Sequence, residues 1–212
     1  MGKAWNCSWH TEEVFRLTKP SAAVIESQIA AAAHSLVDGP QFLRLPYGVR
    51  SERIALEFAH DDSRSLLGQG VAVFDAAKLA FKRWAMFDLG WARVANPQAR
   101  IEVGQILAVE VRSLDLWTLN LSRITEVIDT PTHFGFIYTT TERHVEQGDE
   151  RFLLEFDVAT GDVWYELEAV SRPRHLLARI GYPITRSFQR RFARDSHARM
   201  REETLAGNTI LS

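Results

Sequence analysis

Titratable side chains of several kinds stand close together in one stretch of the chain. Tyr138, His144 and Glu150 are the candidate catalytic residues, with Arg143 and Asp149 beside them. Because histidine titrates near neutral pH, a histidine and a carboxylate that face each other across a hairpin can share a proton in acid–base catalysis. The same side chains can instead fasten the turn through hydrogen bonds. The sequence leaves both interpretations open.

Tryptophan and asparagine side chains are candidate ligand contacts. Trp117 and Asn120 lie three residues apart on one predicted strand, so they point to opposite faces of the sheet. Asn120 then either reaches towards a ligand or bonds to an irregular neighbouring segment. Trp84 and Trp91 belong either to the core or to the rim of a cavity, where an indole N–H finds a polar partner.

The tripeptide Ser-Arg-Pro at 171–173 stands where the last predicted strand passes into the last helix. Ser171 can cap that helix, and Pro173 suits its first turn. Arg172 either projects over the mouth of a cavity, where its guanidinium would hold an anionic group, or forms a salt bridge to the sheet.

Alternation with a period of two predicts five β-strands in the second half of the chain. Their ranges are 105–113, 115–128, 132–142, 150–158 and 162–171. In the fourth of them Phe152 and Leu154 face one way, while Arg151 and Glu155 face the other. This pattern predicts a curved antiparallel sheet with one apolar face and one solvent-exposed face.

The sequence does not decide which face of the third strand lines the interior. Phe134, Phe136 and Tyr138 share one face, and a shift of one residue would put the odd-numbered residues there instead. With the first alternative, Phe136 and Tyr138 become candidate ligand contacts inside the sheet.

Shorter elements precede the sheet, and a long helix follows it. We expect a strand over 13–17, a helix over 22–36 capped by Ser21, a strand over 52–60 and a helix over roughly 72–86. After Pro173 the chain ends in a helix with an apolar residue at every fourth position: Leu176, Ile180, Ile184, Phe188 and Phe192.

Arginine is concentrated in this last helix. Between Val170 and Glu203 there are nine Arg against three acidic residues, or +6, so the rest of a chain of net charge −2 carries −8. Arg186, Arg190 and Arg194 lie two positions beyond the apolar repeat, and we expect them on the solvent side. That face is either an ordinary solvated surface or a contact for an acidic protein partner. No motif of a nucleic-acid reader accompanies it, so no nucleic-acid partner is expected.

The composition excludes several classes of protein. The 212 residues, 46% hydrophobic and 25% charged, are typical of a globular protein, and we expect one domain over 1–212. The single cysteine, Cys7, excludes an internal disulfide, and with His10 it supplies only half of a zinc site, so no metal or cofactor is expected. No apolar run is long enough to span a bilayer and no signal peptide is recognisable, so we expect a cytoplasmic protein without a stable membrane anchor.

Four sequence motifs carry a resemblance to a known family. They are "LGQGVAVFDAAKLAFKRWAMFDLGW" (67–91), "WTLNLSRI" (117–124), "HFGFIYTTTERHVEQGDERF" (133–152) and "VSRPRHLLARIGYPITRSFQRRF" (170–192). Together they resemble the domain of unknown function 1990 family, also called uncharacterised protein family 0548, over roughly 65–200. The family brings no established activity.

The order of elements resembles the helix-grip fold of the Bet v 1 and START-related proteins. This resemblance implies an α+β architecture in which a curved antiparallel sheet wraps a long C-terminal helix, with shorter N-terminal helices. It also implies a deep, mostly apolar cavity between the sheet and the last helix.

Three hypotheses about function follow. The first is a protein that binds an apolar or amphipathic small molecule in the helix-grip cavity. The second is an enzyme in the same cavity, a hydrolase, cyclase or isomerase that uses His144, Tyr138 and Glu150. The third is a regulatory domain that binds an acidic protein through the arginine face of the last helix.

Overall fold

In the computed structural model, the described residues are 15–34, 41–47, 58–113, 115–173 and 182–211. Their helices and strands are, in chain order, β1 (Phe15–Arg16), α1 (Ala22–Ala33), β2 (Ala59–Gln69), α2 (Val71–Lys82), β3 (Ala92–Val94), β4 (Ile106–Ser113), β5 (Leu116–Asp129), β6 (His133–Thr140), β7 (Glu146–Phe156), β8 (Asp162–Pro173) and α3 (Tyr182–Leu211).

The strands form one antiparallel sheet with the order β2-β8-β7-β6-β5-β4-β3, and β1 also pairs with β5. The sheet curls around α3, and α2 packs against both α3 and the sheet. We call the face that receives these two helices the inner face. The predicted α+β architecture, a curved antiparallel sheet that holds a long C-terminal helix, is confirmed.

Aromatic side chains form the core on the inner face. Phe136 and Phe152 are fully buried and stack with their ring centroids 5.0 Å apart, and Phe81 from α2 meets Tyr165 at 5.6 Å. Tyr138 belongs to the same core cluster, so the even-numbered residues of β6 line the interior. Aromatic rings therefore fill part of the space that the helix-grip resemblance assigned to an apolar cavity.

The opposite, outer face of the sheet carries two smaller apolar clusters. Leu119 and Leu121 of β5 pack with Ala32 of α1. Further along the sheet, Phe42 and Leu43 pack with apolar side chains of β6 and β8. We call residues 41–47, which lie on this face, the strap.

The second strand differs from the prediction. A strand was expected over 52–60, of which residues 52–57 lie outside the described residues, and β2 instead occupies Ala59–Gln69. This segment alternates little in polarity, because Asp61, Ser63 and Ser65 meet polar side chains of α3 rather than an apolar core. Period-two hydrophobicity is the signal that such an edge strand lacks.

The buried face of α3 extends further along the helix than the apolar repeat predicted. Phe188 and Phe192 are half-buried as predicted, whereas Leu176 and Ile180 lie outside the described residues. The fully buried positions continue the same four-residue spacing beyond Phe192: Ser196, Met200 and Thr204. Two of these three side chains are polar, so hydrophobic periodicity does not mark this part of the buried face.

Arg186 does not lie on the solvent side of α3, contrary to the prediction. Arg186 lies one turn before Gln189 on the side of α3 that faces the sheet, and it contacts Asp61 on β2. It therefore lies at the edge of the buried face. Arg190 and Arg194 are exposed, as predicted. The long arginine side chain reaches the sheet because β2, absent from the predicted sheet, lies beside this end of the helix.

Candidate functional site

Polar side chains gather on the inner face where the first turns of α3 meet the sheet. Four strands and the helix contribute to this group, which we call the inner cluster: Asp61, Tyr138, Glu146, Glu150, Ser171, Arg186 and Gln189. The cluster borders the aromatic core, because Tyr138 is adjacent to the rings of Phe136 and Phe152 at centroid distances of 6.4 and 5.6 Å.

Tyr138 and Glu150 form the centre of the cluster. They are directly paired residues on β6 and β7, and both point to the inner face. The Tyr138 hydroxyl donates a hydrogen bond of 2.5 Å to Oε2 of Glu150, a distance typical of a charge-assisted O–H···O bond. Antiparallel register thus brings together two residues that are twelve positions apart in the chain.

Hydrogen bonds from α3 join the helix to β7 and β8. Gln189 donates to Oε1 of Glu146 at 2.7 Å and to Oγ of Ser171 at 3.2 Å, and Ser171 donates to Oε2 of Glu146 at 3.2 Å. Both oxygens of the Glu146 carboxylate are therefore occupied.

The Arg186 guanidinium binds the Asp61 carboxylate through two N–H groups, one of them at 2.6 Å to Oδ1. Arg186 also donates to Gln189 at 2.8 Å. This fork-to-carboxylate geometry fixes the edge strand β2 against α3.

Burial controls the acid–base properties of the cluster. It raises the pKa of Glu150 to about 7, with a further rise from the neighbouring charges of Glu146 and Asp61, and against the hydrogen bond from Tyr138. Burial also raises the pKa of Glu146, against the hydrogen bonds from Gln189 and Ser171. The pKa of the Tyr138 hydroxyl lies well above its usual value through burial and the adjacent carboxylate, so it is a neutral donor.

One oxygen of Glu150 has no partner among the residues that the structure describes. The hydroxyl of Tyr138 occupies Oε2, and no described donor reaches Oε1. The Glu150 side chain is half-buried, so this carboxylate combines strong desolvation with an accessible part. Such a group can accept a hydrogen bond from a small molecule or exchange a proton with it.

The predicted proton pair of His144 and Glu150 has a different geometry. His144 Nδ1 accepts a hydrogen bond of 3.0 Å from the backbone N–H of Glu146, and Tyr138 is the partner of Glu150. Asn120 donates to Oγ1 of Thr118 at 3.1 Å and accepts from the backbone N–H of Val145 at 3.3 Å. These contacts of His144 and Asn120 fasten the connection between β6 and β7.

Two of the predicted ligand contacts belong to the core. Phe136 is fully buried, and Trp84 is 2% exposed with its Nε1 donating to the backbone oxygen of Ala99 at 3.0 Å. Trp91 is half-buried, donates to Asp195 at 3.0 Å and lies 6.0 Å from the ring of Phe188. Trp91 thus stands beside the first turns of α3.

The other two predicted contacts point away from the inner cluster. Arg172 lies on the outer face, donates to Gln147 at 2.8 Å and stacks over the ring of Phe58 at 4.7 Å. It follows Ser171, which faces inward, and successive residues of a strand alternate between faces. Trp117 lies beside Lys19, whose ammonium is 5.7 Å from the indole centroid.

A second polar group lies on the outer face of β2, β7 and β8, around a recess of about 410 Å³. We call it the outer recess. Arg151, at its centre, contacts Glu168 at 2.7 Å and Glu166 at 3.5 Å, and donates to the backbone oxygen of Pro46 in the strap at 2.8 Å. Arg64 binds Glu166 at 3.0 Å, so cations and carboxylates of this recess neutralise one another.

Asp149 anchors the strap beside the outer recess. Its Oδ2 accepts hydrogen bonds from the backbone N–H groups of Phe42 at 2.5 Å and Leu43 at 3.1 Å. Burial raises the pKa of Asp149 to about 6, against these two bonds. The polar groups of this face hold the chain together.

Sequence reasoning did not place five members of the inner cluster at the site: Asp61, Glu146, Ser171, Arg186 and Gln189. Two of them left a signal, since Glu146 has the same parity on β7 as Glu150, and Ser171 has the same parity on β8 as Tyr165. The predicted strands leave residues 143–149 between them, which hid the alternation at Glu146. The other three come from elements whose positions depend on tertiary pairing.

Two features, a metal-binding group of side chains and a membrane-spanning helix, are absent from the described residues. In ranges 15–34, 41–47, 58–113, 115–173 and 182–211, no three His, Cys, Asp or Glu side chains are grouped closely enough to hold a metal ion. Within the same ranges, no helix has the length and apolarity that a membrane crossing requires. Cys7 and His10 lie outside the described residues.

The curved sheet, its C-terminal helix and the inner cluster define a helix-grip protein of the α+β class. The family model for a domain of unknown function, DUF1990, matches residues 46–199. A UPF0548 protein from Dictyostelium discoideum is 36% identical over 150 residues, 66% of this chain and 69% of the relative. A UPF0548 protein from Arabidopsis thaliana is 32% identical over 145 residues, 66% of this chain and 70% of the relative.

The chain belongs to the DUF1990 family, as the sequence motifs predict, and the match begins at residue 46 rather than near 65. Among solved structures, that of Ara h 8.0201 is similar, with a TM-score of 0.44 and 10% sequence identity over 70% of this chain and 99% of that chain.

Proposed function

We propose that this protein binds a small amphipathic molecule at the inner cluster. The polar part of the ligand contacts Glu150, and the apolar part lies along the aromatic side chains of Trp91 and Phe188. The observation that carries the proposal is the Glu150 carboxylate, which is desolvated enough to raise its pKa to about 7 yet half-buried, with Oε1 unpartnered among the described residues. Convergent polar groups beside an aromatic wall are typical of small-molecule sites.

Native mass spectrometry of freshly purified protein, compared with the same sample denatured, tests the proposal. We expect a discrete additional mass that is lost on denaturation. If the purified protein is empty, titration with the uncharged fluorescent probe N-phenyl-1-naphthylamine should give saturable binding. A clean apo mass together with no saturable fluorescence would contradict the proposal.

Alanine substitution of two apolar residues on α3 tests where the fluorescent probe binds. Phe188, half-buried beside Trp91, is part of the proposed wall, whereas Leu205 is 54% exposed and lies nearly five turns further along the helix. We expect Phe188→Ala to weaken probe binding about tenfold, in line with the loss of a buried aromatic contact, and Leu205→Ala to leave it unchanged. Equal effects of both variants would place the probe elsewhere.

A second candidate function is acid–base catalysis at the same cluster. It is favoured by one observation: Glu150, with its pKa near 7, holds a 2.5 Å hydrogen bond to a neutral Tyr138 hydroxyl. A carboxylate of this kind suits proton transfer at neutral pH. In that case Glu150→Gln abolishes turnover of a bound compound but leaves its binding in place, and His144, which bonds to the backbone of Glu146, acts by positioning the strand.

The arginine face of α3 gives less support to an acidic protein partner. Of the three arginines of that face, Arg186 binds Asp61 and Arg194 contacts Asp195, which the neighbouring Arg191 also contacts. Arg191 also stacks on Trp91, 4.6 Å from the ring centroid. A surface whose cations already pair with neighbouring carboxylates attracts an acidic partner weakly.

A further inference from the structure

The charges around Glu150 indicate which ligands the inner cluster can accept. Three carboxylates face this region, those of Asp61, Glu146 and Glu150, and among the described residues the cation beside them is Arg186. Arg186 is bound by Asp61 through two N–H groups and also donates to Gln189. Its charge is therefore directed towards Asp61, and the neighbouring charges that act on Glu150 are those of the carboxylates of Glu146 and Asp61.

The carboxylates of Glu146 and Glu150 differ in how many of their oxygen atoms accept a hydrogen bond. Glu146 receives Gln189 at Oε1 and Ser171 at Oε2, so both of its oxygens have donors. Glu150 receives Tyr138 at Oε2 and has no described donor at Oε1. A ligand group that covers this oxygen must supply a hydrogen-bond donor to it, since a carboxylate oxygen that loses water without gaining a donor is costly.

We propose that the polar group of the ligand is a cation with N–H donors, such as a primary ammonium, which binds Oε1 of Glu150 while Tyr138 holds Oε2. This inference rests on the proposed function, because it assigns a chemical class to the ligand of the same site. An ammonium adds charge complementarity to the hydrogen bond. A carboxylate ligand would be placed beside the carboxylates of Glu146 and Glu150, and a neutral alcohol would gain the hydrogen bond without the charge.

The ionisation of Glu150 gives this binding a specific pH dependence. The titratable groups that face Glu150 come from every neighbouring element: Asp61, Tyr138, Glu146, Tyr165 and Arg186. With the pKa of Glu150 at about 7, the ammonium should bind roughly tenfold more tightly at pH 8 than at pH 6, because the carboxylate ionises while the amine stays protonated.

Competition with N-phenyl-1-naphthylamine tests the inference with three probes of equal chain length: dodecylammonium, dodecanol and dodecanoate. The two ions are used below their critical micelle concentrations and dodecanol below its solubility limit. We expect dodecylammonium to displace the naphthyl probe with at least about tenfold higher affinity than dodecanol, and dodecanoate to be the weakest. The advantage of the ammonium over the alcohol should shrink as the pH falls from 8 to 6.

Two charge-matched variants complete the test. Glu150→Gln should abolish both the preference for the ammonium over the alcohol and the pH dependence of that preference. Glu26→Gln removes one carboxylate from the exposed face of α1 and should change neither. Circular dichroism and thermal unfolding of each variant verify that it is folded.

The possible outcomes separate the two proposals. If dodecanol and the naphthyl probe bind but the ammonium shows no advantage, or keeps its advantage in Glu150→Gln, the assignment of a cationic ligand is wrong and the proposed binding function stands. If dodecanoate binds best, the assignment is likewise wrong. If no probe binds saturably, the proposed function itself fails.

Discussion

Two polar groups lie back to back on opposite faces of β7 and β8. On the outer face, Arg151 contacts Glu166 and Glu168 and reaches the backbone of the strap, so positive and negative groups are matched. On the inner face, Glu150 keeps an oxygen that no described residue occupies, and the cation of the inner cluster, Arg186, is bound to Asp61. The two faces differ in the kind of partner: Asp149, Glu166 and Glu168 of the outer face are held by backbone N–H groups or cations, whereas Glu150 is held by a neutral hydroxyl.

This difference separates structural polar groups from candidate functional ones. An ion-pair network on the outer face, in which Arg151 also binds the backbone of the strap, fixes the strap to the sheet, and removing one member weakens the pairing of buried charges. The inner cluster keeps a desolvated carboxylate whose pKa lies near neutrality, a condition that binding and catalytic sites often maintain. Mutations should therefore affect stability through the outer group and ligand binding through the inner one.

The largest effect is expected from Arg151→Ala on the outer face. The Arg151 side chain is 7% exposed and that of Glu168 8%, so the variant removes the arginine from a buried carboxylate that keeps the His60 ring as its partner at 2.8 Å. We expect a loss of about 3–5 kcal/mol in the free energy of unfolding, measured by urea denaturation. Arg100→Ala, at a side chain 80% exposed, is the control and should change it by less than about 0.5 kcal/mol. A loss under about 1 kcal/mol for Arg151→Ala would contradict the structural role.

Asp149→Ala should release the strap. The variant removes the acceptor of two buried backbone N–H groups, those of Phe42 and Leu43, at a cost of about 2 kcal/mol in the free energy of unfolding. Mass spectrometry of tryptic fragments should show faster cleavage after Arg44 than in the unmodified protein. Asp157→Ala, which alters only the hairpin bonds to Ala159 and Thr160, should leave that cleavage rate unchanged. Equal rates in both variants would mean that Asp149 does not hold the strap.

Glu150→Gln should change the pH dependence of stability on the inner face. Because the folded state raises the pKa of Glu150 to about 7, above the unfolded value of about 4.3, this group favours folding below the unfolded pKa and loses that contribution as the pH rises through 7. We expect the variant to be more stable than the unmodified protein by about 2 kcal/mol at pH 8, and nearly equal at pH 4, by urea denaturation. A difference that does not vary with pH would show that Glu150 is ordinarily solvated.

The smallest effect distinguishes two arginines of α3. Arg186→Ala removes the forked contact with Asp61, which is partly screened by solvent, and should cost about 1 kcal/mol in the free energy of unfolding. Arg194→Ala is the matched control, because its side chain is 73% exposed and contacts only the neighbouring region of the helix through Asp195. We expect a change below about 0.5 kcal/mol there. Equal costs would return Arg186 to the solvated face that the sequence predicted.

Much of the sheet can be predicted from the sequence because its strands alternate strongly. Phe152 and Leu154 point inward and Arg151 points outward, as the period of two requires. The edge strand β2 escaped prediction because its inward residues, among them Ser63 and Ser65, pair with the polar His197 of α3. Where a buried face is polar, hydrophobic periodicity carries no signal.

The candidate site was predictable only in part for a related reason. Tyr138 and Glu150 share one local motif, so a sequence search finds both, but their pairing depends on the register of β6 and β7. Asp61 and Gln189 enter from segments far away in the chain, through contacts that no short motif encodes. His144 is close in sequence yet bonds to the backbone, which residue type and spacing alone do not reveal.

The most direct test of the central claim is an NMR titration of the ¹⁵N-labelled protein with N-phenyl-1-naphthylamine. A ligand at the inner cluster predicts amide shift changes centred on Tyr138, Glu150 and Gln189, with the strap unaffected. Shift changes centred on His60 and Arg151 of the outer recess would contradict the claim and move the binding site to the opposite face of the sheet.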